Sequence, residues 1–339
     1  MKKKKKTALL PLWAVVLLDA LAVGAGLVVF ALFHHVLPRY ADSAPVVLTT
    51  PAPAPAPTPV PAAEETPALP QETEAPVVLE PGDFSLRFAE QFTDGEIIRN
   101  ENEYRSGNVA VRFRTVQEEN LLYHVADIYV RKTEFFRTAF AGGAYLNNNT
   151  PHSEPFANIA RANSAVTALS GDYYAARLEG VVIRNGVLYR DTPNEAVCAV
   201  WPDGSMECIP AEAYNVDYLV EGSAWQAWAF GPVLVQNGQA VDNSGHPLSR
   251  NNPRSVLGYY EPGHYCFVQV EGRIDESYGL TLNALAELMV SLGCDMAYNL
   301  DGGQSSYIYW NDELVSTDFY RNSSDILYVA DGWEEAEEP

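Results

Sequence analysis

Basic residues are scarce in this sequence: 22 Lys and Arg stand against 44 Asp and Glu, which gives a formal net charge of −22. Five of the 22 are the lysines of residues 2–6, so the remaining chain carries −27. Proteins that bind nucleic acid through a broad surface need clustered Lys and Arg against the phosphate backbone. The composition therefore excludes that class, and an anionic substrate has to be held by a few individually placed arginines.

Cysteine and histidine are also rare, with four and six residues. No C-x-x-C, no H-E-x-x-H and no Cys/His cluster occurs, which argues against a dedicated zinc site. Cys198 and Cys208 flank the turn sequence Trp201-Pro-Asp-Gly204, which favours a disulfide that closes a hairpin. Cys266 and Cys294 then form a second disulfide or remain buried thiols. All three pairings of four cysteines stay open at this point.

The longest apolar stretch, residues 7–35, directly follows the lysines. About 20 apolar residues in a helix span the hydrocarbon core of a bilayer. Because the stretch is long and no small-residue cleavage site follows closely, an uncleaved signal anchor is favoured over a cleaved signal peptide. Asp19 inside it is either a partner contact or a tolerated acid. We expect a single-pass cell-membrane protein with residues 1–6 cytoplasmic and the remainder extracellular.

Proline-rich sequence separates this stretch from the rest of the chain. Residues 45–81 contain 11 prolines, which alternate with alanine over residues 51–57. Such a segment is typical of a polyproline-like spacer, which at about 3.1 Å per residue reaches ~100 Å. We therefore predict a disordered linker over residues 36–82, one exported domain over residues 83–332 and a solvated acidic tail over residues 333–339.

The exported domain reads as α+β, with mixed and largely antiparallel sheets and a few packed helices. The predicted strands and hairpins are Tyr123–Val130, residues 179–189 around Asn185-Gly186, residues 233–241 around Asn237-Gly238, residues 255–260 with 265–270, and residues 296–300. The predicted helices are one that begins after Thr281 as N-cap and stops at Gly293, and two weaker ones at residues 157–166 and 133–141.

Residues 292–306, Leu-Gly-Cys-Asp-Met-Ala-Tyr-Asn-Leu-Asp-Gly-Gly-Gln-Ser-Ser, are the most informative segment. A strand ending at Leu300 and a sharp Asp301-Gly302-Gly303 turn place a carboxylate at the strand end. The two glycines let a ligand approach the backbone, and Ser305 and Ser306 follow with hydroxyl groups. The pattern indicates a cradle for an anion or a sugar, and an ordinary Asp-Gly hairpin is the alternative.

Other features suit the same chemistry, although each alone is typical of an ordinary turn or surface charge. Ser170-Gly-Asp-Tyr-Tyr174 puts Asp172 beside two aromatic rings that can stack on a sugar. Glu179 precedes a glycine at the start of a hairpin. Arg254, Arg273 and Arg321 are isolated cations at predicted turns or strand edges.

Taken in order, these segments resemble the phosphodiester glycosidase family from about Asp94 to Ala330. The blocks that carry the resemblance are Tyr123-His-Val-Ala-Asp-Ile-Tyr, residues 165–174, Glu179-Gly-Val-Val-Ile-Arg-Asn-Gly, Phe230-Gly-Pro-Val-Leu-Val-Gln-Asn-Gly, Pro253-Arg-Ser-Val-Leu-Gly, Val270-Glu-Gly-Arg, Gly279-Leu-Thr-Leu, residues 297–306 and Arg321. The family usually has Asn at the position of Ser170, Gly at that of Gln304 and commonly Thr at that of Ser255. These departures concern the substrate rather than the fold.

The resemblance implies a bacterial, membrane-anchored glycoside hydrolase that acts on sugar-1-phosphodiesters such as an N-acetylglucosamine-1-phosphodiester or a wall glycan. Asp301 is then the central carboxylate, with Asp172 or Glu179 as its partner. The residues expected to bind sugar or phosphate are Arg254, Arg273, Arg321, Thr281, Asn299, Gly302, Gly303, Ser305, Ser306, Ser170 and Gly171. The leaving phosphate ester is a stable anion, so a strong general acid is not needed.

Two other functions stay open. A non-catalytic cell-wall or polysaccharide-binding module shares the anchor, the spacer and the aromatic residues. A metal-dependent hydrolase would use Asp301, Asp172 and Asn299 as oxygen ligands for Ca²⁺ or Mg²⁺, although no spacing motif supports this. The proposed glycosidase chemistry itself requires no cofactor.

Overall fold

The computed structural model describes residues 14, 23–24, 45–48, 80–146, 152–192 and 194–332. The chain divides into two units, residues 1–42 and 43–339, and the first is described at residues 14, 23 and 24 only. Almost all of the predicted anchor, most of the predicted linker and the acidic tail therefore lie outside the described residues. Among the residues that are described, no helix combines the length and the apolar character that a membrane span needs.

Short strands dominate the described part of the second unit. They are β1 (Val46–Val47), β2 (Ile98–Arg99), β3 (Glu103–Arg105), β4 (Val109–Glu118), β5 (Leu121–Val130), β6 (Phe136–Phe140), β7 (Thr167–Ser170), β8 (Gly180–Arg184), β9 (Val187–Thr192), β10 (Val197–Val200), β11 (Met206–Ile209), β12 (Gln226–Trp228), β13 (Val233–Gln236), β14 (Gln239–Ala240), β15 (Arg254–Glu261), β16 (His264–Val270), β17 (Met296–Asn299), β18 (Ile308–Trp310), β19 (Glu313–Leu314) and β20 (Asp325–Val329). The α-helices are α1 (Phe156–Ala162), α2 (Val216–Glu221) and α3 (Leu282–Ser291).

The strands form three sheets, and neighbouring strands in all three are antiparallel. The orders are β1-β9-β8-β12-β10-β11, β14-β13-β17-β15-β16-β5-β4-β3-β2 and β19-β18-β7-β20-β6. All three sheets contribute to one apolar cluster, which contains Phe136, Trp228, Phe267, Tyr298 and Leu327. The predicted class, largely antiparallel sheets with a few packed helices, is confirmed.

The strongest local signals of the sequence have the predicted conformations. At the turn between β8 and β9, Asn185 and Gly186 have φ of 51° and 75°, as a two-residue hairpin with the favoured twist requires. Asn237 and Gly238 repeat this between β13 and β14. Helix α3 begins where the Thr281 hydroxyl accepts a hydrogen bond from the Ala284 N–H at 3.1 Å.

The helix predicted over residues 133–141 is wrong. A short 3₁₀ turn at Thr133–Phe135 leads instead into β6, which pairs with β20. Aromatic and β-branched side chains such as Phe136 and Thr138 pack well on a sheet, and here they are buried. The weaker helix at residues 157–166 exists as α1 but ends at Ala162.

All four cysteines are buried free thiols, so the predicted hairpin-closing disulfide is not formed. Their arrangement nevertheless matches one of the three pairings. Cys198 lies directly opposite Cys208 in the β10–β11 ladder. The sulfur atoms of Cys266 and Cys294 are 3.7 Å apart.

Candidate active site

The Asp301 turn joins the nine-stranded sheet to the five-stranded sheet. After β17, the Leu300 N–H donates to the Ser255 carbonyl at 2.9 Å and the Asp301 N–H donates to the Gly171 carbonyl at 2.9 Å. Ser255 belongs to β15, whereas Gly171 directly follows β7. The carboxyl group of Asp301 is thereby fixed at the junction of two sheets.

A close contact with Pro253 requires glycine at position 302, and a positive φ favours glycine at position 303. A Cβ on Gly302 would lie 2.7 Å from the Pro253 carbonyl oxygen. Gly303 has a φ of 61°, and its N–H donates to the same oxygen at 2.9 Å. Larger residues at these positions would displace the turn, since L-residues rarely adopt that φ and the oxygen leaves no room.

Ser170 ties the far side of the turn to β7. Its hydroxyl donates to the Ser305 carbonyl and accepts the Tyr307 N–H at 2.9 Å. Both roles of this hydroxyl are thus occupied by backbone groups. Ser170 positions the turn that carries Asp301 and is not free to bind a sugar.

The environment of Asp301 favours proton binding. Burial raises the pKa of its carboxyl group to about 6, against the opposing effects of Arg321, the Ser305 hydroxyl, Arg177 and the Gly302 N–H. A carboxyl group in this range changes protonation state close to neutral pH, which suits a nucleophile or a general base.

Three arginines lie around this turn. The Arg321 guanidinium is 4.9 Å from the centre of the Tyr173 ring, and that of Arg177 is 4.5 Å from the centre of the Phe230 ring. Arg273 donates to the Asn252 side chain at 2.7 Å, and one of its terminal nitrogens is 3.4 Å from where a Cβ on Gly303 would be. Cation–π contacts of this kind hold a guanidinium in place while leaving N–H groups for an anion.

Two further acidic residues, Asp172 and Asp325, form a buried cluster around Arg184 next to the Asp301 turn. Arg184 is 1% exposed and shares one terminal nitrogen between Asp172, at 2.8 Å, and Asp325, at 3.0 Å. Asp172 also accepts the Ala229 N–H at 3.2 Å. Burial and the nearby Asp172 raise the pKa of Asp325 to about 7, with Arg184 opposing the shift and Asp301 adding to it.

Gly171 allows this cluster to form. A Cβ at this position would lie 2.2 Å from a carboxylate oxygen of Asp325, well inside van der Waals contact. The Gly171 N–H donates to the Asp325 carbonyl and its own carbonyl accepts from Asp301. One glycine therefore brings the two acidic groups next to each other.

The structure brings most of the predicted site residues together. Those at the turn or in contact with it are Asp301, Asp172, Ser170, Gly171, Gly302, Gly303, Ser305, Arg273 and Arg321. Glu179 is exposed at the start of β8, and no described contact joins it to the Asp301 turn.

Arg254, which the resemblance placed on the phosphate, is held by backbone groups. It is 3% exposed and donates to the carbonyls of Leu280 at 3.0 Å and of Leu248 and Arg250 at 2.6 Å each. Burial lowers its pKa to about 10. These contacts hold the loop before β15, and a role on the phosphate stays a prediction.

Three further predicted residues make hydrogen bonds within the scaffold. Thr281 caps α3, the Asn299 amide donates to the Gly231 carbonyl at 2.7 Å, and the Ser306 hydroxyl lies 3.2 Å from that of Ser255. The residues considered as oxygen ligands for Ca²⁺ or Mg²⁺ were Asp301, Asp172 and Asn299. In the structure Asp172 is instead paired with Arg184. Within the described residues, no three His, Cys, Asp or Glu side chains converge as metal ligands.

Arg177, Arg184 and Asp325 were missed by the sequence reasoning. For two of them the sequence contains a usable signal. Arg184 ends the apolar strand β8 and Asp325 begins the apolar strand β20. A charged residue at the end of a fully buried strand needs a partner. Arg177 has no comparable signal, since its position depends on Phe230 from a distant part of the chain.

Comparisons with known proteins find other chains with this fold. A zebrafish N-acetylglucosamine-1-phosphodiester alpha-N-acetylglucosaminidase catalytic domain, auto-inhibited by its pro-peptide, has the same fold, with a TM-score of 0.55 and 18% identity over 70% of this chain and 88% of that one. A hypothetical protein from Synechocystis matches with a TM-score of 0.51 and 14% identity over 66% of this chain and 62% of that one.

An uncharacterized SPbeta prophage-derived protein, YomE of Bacillus subtilis strain 168, is 30% identical over 168 residues. The match covers 46% of this chain and 26% of that protein, so the chain spans about a quarter of the length of this curated relative. The family model described as phosphodiester glycosidase matches residues 163–333, which include Asp172, Asp301 and Asp325. This chain belongs to the phosphodiester glycosidase family.

Proposed function

We propose that this chain is an extracytoplasmic glycoside hydrolase that converts a sugar-1-phosphodiester into free sugar and a phosphate monoester. The proposed substrate is an N-acetylglucosamine-1-phosphodiester or a phosphodiester-linked glycan of the wall or capsule, and attachment to the membrane through residues 7–35 belongs to the same proposal. The observation that carries it is the position of Asp301, with a pKa of about 6, beside Arg177 and Arg321.

The arginines suit the phosphodiester group. Arg177, Arg273 and Arg321 form no salt bridge with any carboxylate in the described part of the chain, whereas Arg184 has two such partners. A guanidinium binds two oxygens of one phosphate in parallel, which fixes orientation as well as charge. In a chain with a net charge of −22, three such groups at one turn make a local site for an anion.

Asp301 suits the sugar carbon. Above pH 6 its carboxylate is mostly ionised. As a nucleophile it bonds to the anomeric carbon, and water then hydrolyses the glycosyl-enzyme to free sugar; as a base it takes a proton from the water that attacks this carbon. The bond between that carbon and the phosphate oxygen breaks, and the electron pair leaves with the phosphate monoester. Because the leaving group is already a weak base, Arg177 and Arg321 need only stabilise its charge.

Asp325 supports this step from behind the turn. Its pKa of about 7 is raised by burial and by Asp172, and the charge of Asp301 adds to the shift, so the charge state of one group affects that of the other. Arg184 keeps Asp325 and Asp172 at fixed distances. We assign Asp325 as a positioning group beside Asp301, whereas the sequence reasoning expected Asp172 or Glu179 as the catalytic partner of Asp301.

The test is turnover by the purified full chain in detergent on a panel of sugar-1-phosphodiesters, with released sugar detected by mass spectrometry. Asp301→Asn should reduce turnover by ~10³-fold or more, since it removes the group that acts on the anomeric carbon. The matched control is Asp275→Asn, which makes the same change at an exposed carboxylate two residues from Arg273 and should stay within about threefold.

Two results would refute the proposal. Full turnover by Asp301→Asn would show that Asp301 takes no part in the reaction. Saturable binding of a phosphodiester glycan by the native chain without any release of sugar would identify a binding module instead.

A further inference from the structure

The residue before Arg321 has an exposed aromatic ring. Tyr320 is 91% exposed, the highest value among the large apolar side chains of the described residues. Consecutive Cα atoms are about 3.8 Å apart, so this ring is attached next to the arginine whose charge opposes the rise in the pKa of Asp301. Asp301 and Arg321 are both partly buried, whereas Tyr320 faces solvent. Tyr320 therefore lies at the outer rim of the candidate active site.

Residues that combine a long side chain with a left-handed backbone cluster at this site. A positive φ is usual for glycine and is tolerated by Asn and Asp in turns, but it is an outlier for bulky residues. The long side chains with a positive φ in the described part of the chain are those of Leu146, Tyr173, Arg273 and Tyr320. Tyr173 contacts the Arg321 guanidinium, and Arg273 lies beside Gly303. All except Leu146 thus belong to the site or adjoin it, and such unfavourable conformations are kept mainly where function requires them.

Two hydrogen bonds hold the backbone that presents the Tyr320 ring. The Tyr320 N–H donates to the Asp318 carboxylate at 2.7 Å, and the Arg321 N–H donates to the hydroxyl group of the buried Tyr307 at 3.1 Å. In contrast, no described residue stacks on the Tyr320 ring or forms a hydrogen bond with its hydroxyl group. The fold therefore fixes the backbone at this position and leaves the side chain uncovered.

The order of groups at the site indicates which part of a substrate meets this ring. Under the proposed function, Asp301 acts on the anomeric carbon and Arg321 binds the phosphate group. Tyr320 is further towards solvent than either of them. A phosphodiester has two ester sides, and the sugar to be released occupies the side at Asp301. The alcohol on the other side, which leaves with the phosphate, therefore points towards Tyr320.

A tyrosine in this position suits a pyranose ring. The C–H groups on one face of a pyranose form a flat apolar surface, which stacks on an aromatic ring while the hydroxyl groups of the sugar stay in water. Tyrosine provides a large and rigid contact surface and loses little conformational entropy on binding. Because hydrogen bonds already fix the backbone of Tyr320, little further ordering is needed when a ligand binds.

We propose that Tyr320 is a specificity-determining residue whose ring stacks on a sugar in the leaving alcohol of the phosphodiester. This inference rests on the proposed hydrolase function and narrows the substrate class to phosphodiesters that carry a sugar on both sides of the phosphate. Tyr320 lies on the side of the leaving alcohol and not at the anomeric carbon. It should therefore strengthen binding without entering the bond-breaking step.

The experiment measures binding, so that it does not depend on turnover. Three esters of N-acetylglucosamine-1-phosphate are titrated by calorimetry into the detergent-solubilised full chain that carries Asp301→Asn. Their alcohols are methanol, butanol and the 6-hydroxyl group of methyl glucoside. Tyr320→Asn, added to Asp301→Asn, removes the ring but keeps a residue type that tolerates a positive φ. Tyr320→Phe keeps the ring. The control is Tyr218→Ala, at a 49% exposed tyrosine of α2 that no described contact joins to the Asp301 turn.

We expect Tyr320→Asn to raise Kd for the glucosyl ester about tenfold and Kd for the methyl and butyl esters less than about twofold, because only the glucosyl ester stacks on the ring. Tyr320→Phe and Tyr218→Ala should leave all three values of Kd within about twofold. The proposal would be overturned by equal increases for the glucosyl and methyl esters, by no increase for the glucosyl ester, or by an equally large increase for the butyl ester, which would identify a general apolar contact.

The same titrations separate this proposal from the hydrolase function. If the native chain releases no sugar but the glucosyl ester still depends on Tyr320, the hydrolase function fails and the sugar contact stands. If the native chain releases sugar and the three esters respond equally to Tyr320→Asn, the hydrolase function stands and the sugar contact fails. Binding of none of the three esters would contradict both.

Discussion

Two buried arginines, Arg184 and Arg254, show opposite ways of holding a positive charge inside this domain. Arg184, at the end of β8, is shared by the carboxylates of Asp172 and Asp325. Arg254, at the start of β15, donates only to neutral carbonyl groups, and burial lowers its pKa to about 10. Sequence reasoning chose Arg254 for the site, whereas the structure puts Arg184 next to the acids.

The contrast between Arg184 and Arg254 shows that a lone arginine in an acidic chain is not by itself a phosphate ligand. A buried guanidinium uses its donors on whatever acceptors the fold supplies, and only a partly exposed one keeps donors for a ligand. Arg177, Arg273 and Arg321 are in the second situation. The following experiments test whether the two buried arginines differ from each other, and from these three, as described.

The largest effect is expected for Arg184→Met. Removing this cation leaves Asp172 and Asp325 buried without a counter-charge, which should lower the free energy of unfolding by ~3–5 kcal/mol. Urea unfolding followed by tryptophan fluorescence measures the change. Adding Asp325→Asn to the variant should restore part of the loss, and a loss below ~1 kcal/mol in Arg184→Met would contradict the buried ion triad.

The next effect is a pH dependence that originates at Asp301. The pKa of this carboxyl group is about 6 in the folded chain against an ordinary value of 3.8, so the folded state keeps a proton that the unfolded state has released. Its contribution to stability is present below pH ~4 and is lost as the pH rises through 6, by ~3 kcal/mol. Unfolding of Asp301→Asn should lack this component, and identical pH profiles for the two proteins would disprove the shift.

A smaller loss of stability is expected for Arg254→Met. The variant removes the Arg254 donor from three backbone carbonyls, of which those of Leu280 and Arg250 keep a second donor from Asn252, so the free energy of unfolding should fall by ~1–3 kcal/mol. Because Arg254 holds a loop and not the ligand, KM for a phosphodiester substrate should change by less than about threefold. A tenfold increase in KM would show that Arg254 binds the phosphate, which would contradict the difference described between Arg184 and Arg254.

We expect the smallest effect on stability for Arg321→Gln. This variant should instead weaken the binding of the substrate. The Arg321 guanidinium lies over Tyr173 and near Asp301, and losing one charged contact to phosphate should raise KM about tenfold, or 1.4 kcal/mol. The free energy of unfolding should change by less than ~0.5 kcal/mol. Initial rates and urea unfolding on the same preparation separate the two quantities.

Local chemistry explains which parts were predictable from the sequence. The Asn185-Gly186 hairpin, the Thr281 cap and the Asp301-Gly-Gly turn depend on residues within a few positions of each other, and each was found. Residues 133–141 were misread because a five-residue strand with a polar edge gives too little periodicity to separate it from a helix. Contact with β20, almost 190 residues later in the chain, decides the outcome.

The site was predictable only in part for the same reason. Asp301 has a distinctive turn around it, so its carboxylate stood out. Asp325 acquires its role from Gly171 and Arg184, which are more than 140 positions away in the sequence. No short window of sequence contains all three. The antiparallel pairing of β7 with β20 brings Gly171 to Asp325, and Arg184 reaches Asp325 from β8 of another sheet.

The sharing of Arg184 also determines how the domain handles protons when a ligand binds. One buried cation serves two carboxyl groups, and a third, Asp301, lies close enough to raise the pKa of Asp325. Bringing an anionic phosphate to this group of charges should raise the affinity of Asp325 for protons further. Ligand binding near pH 7 should therefore take up protons from solution, and the calorimetric heat should vary with the ionisation enthalpy of the buffer. The acidic site would then take up protons from solution whenever an anionic ligand binds.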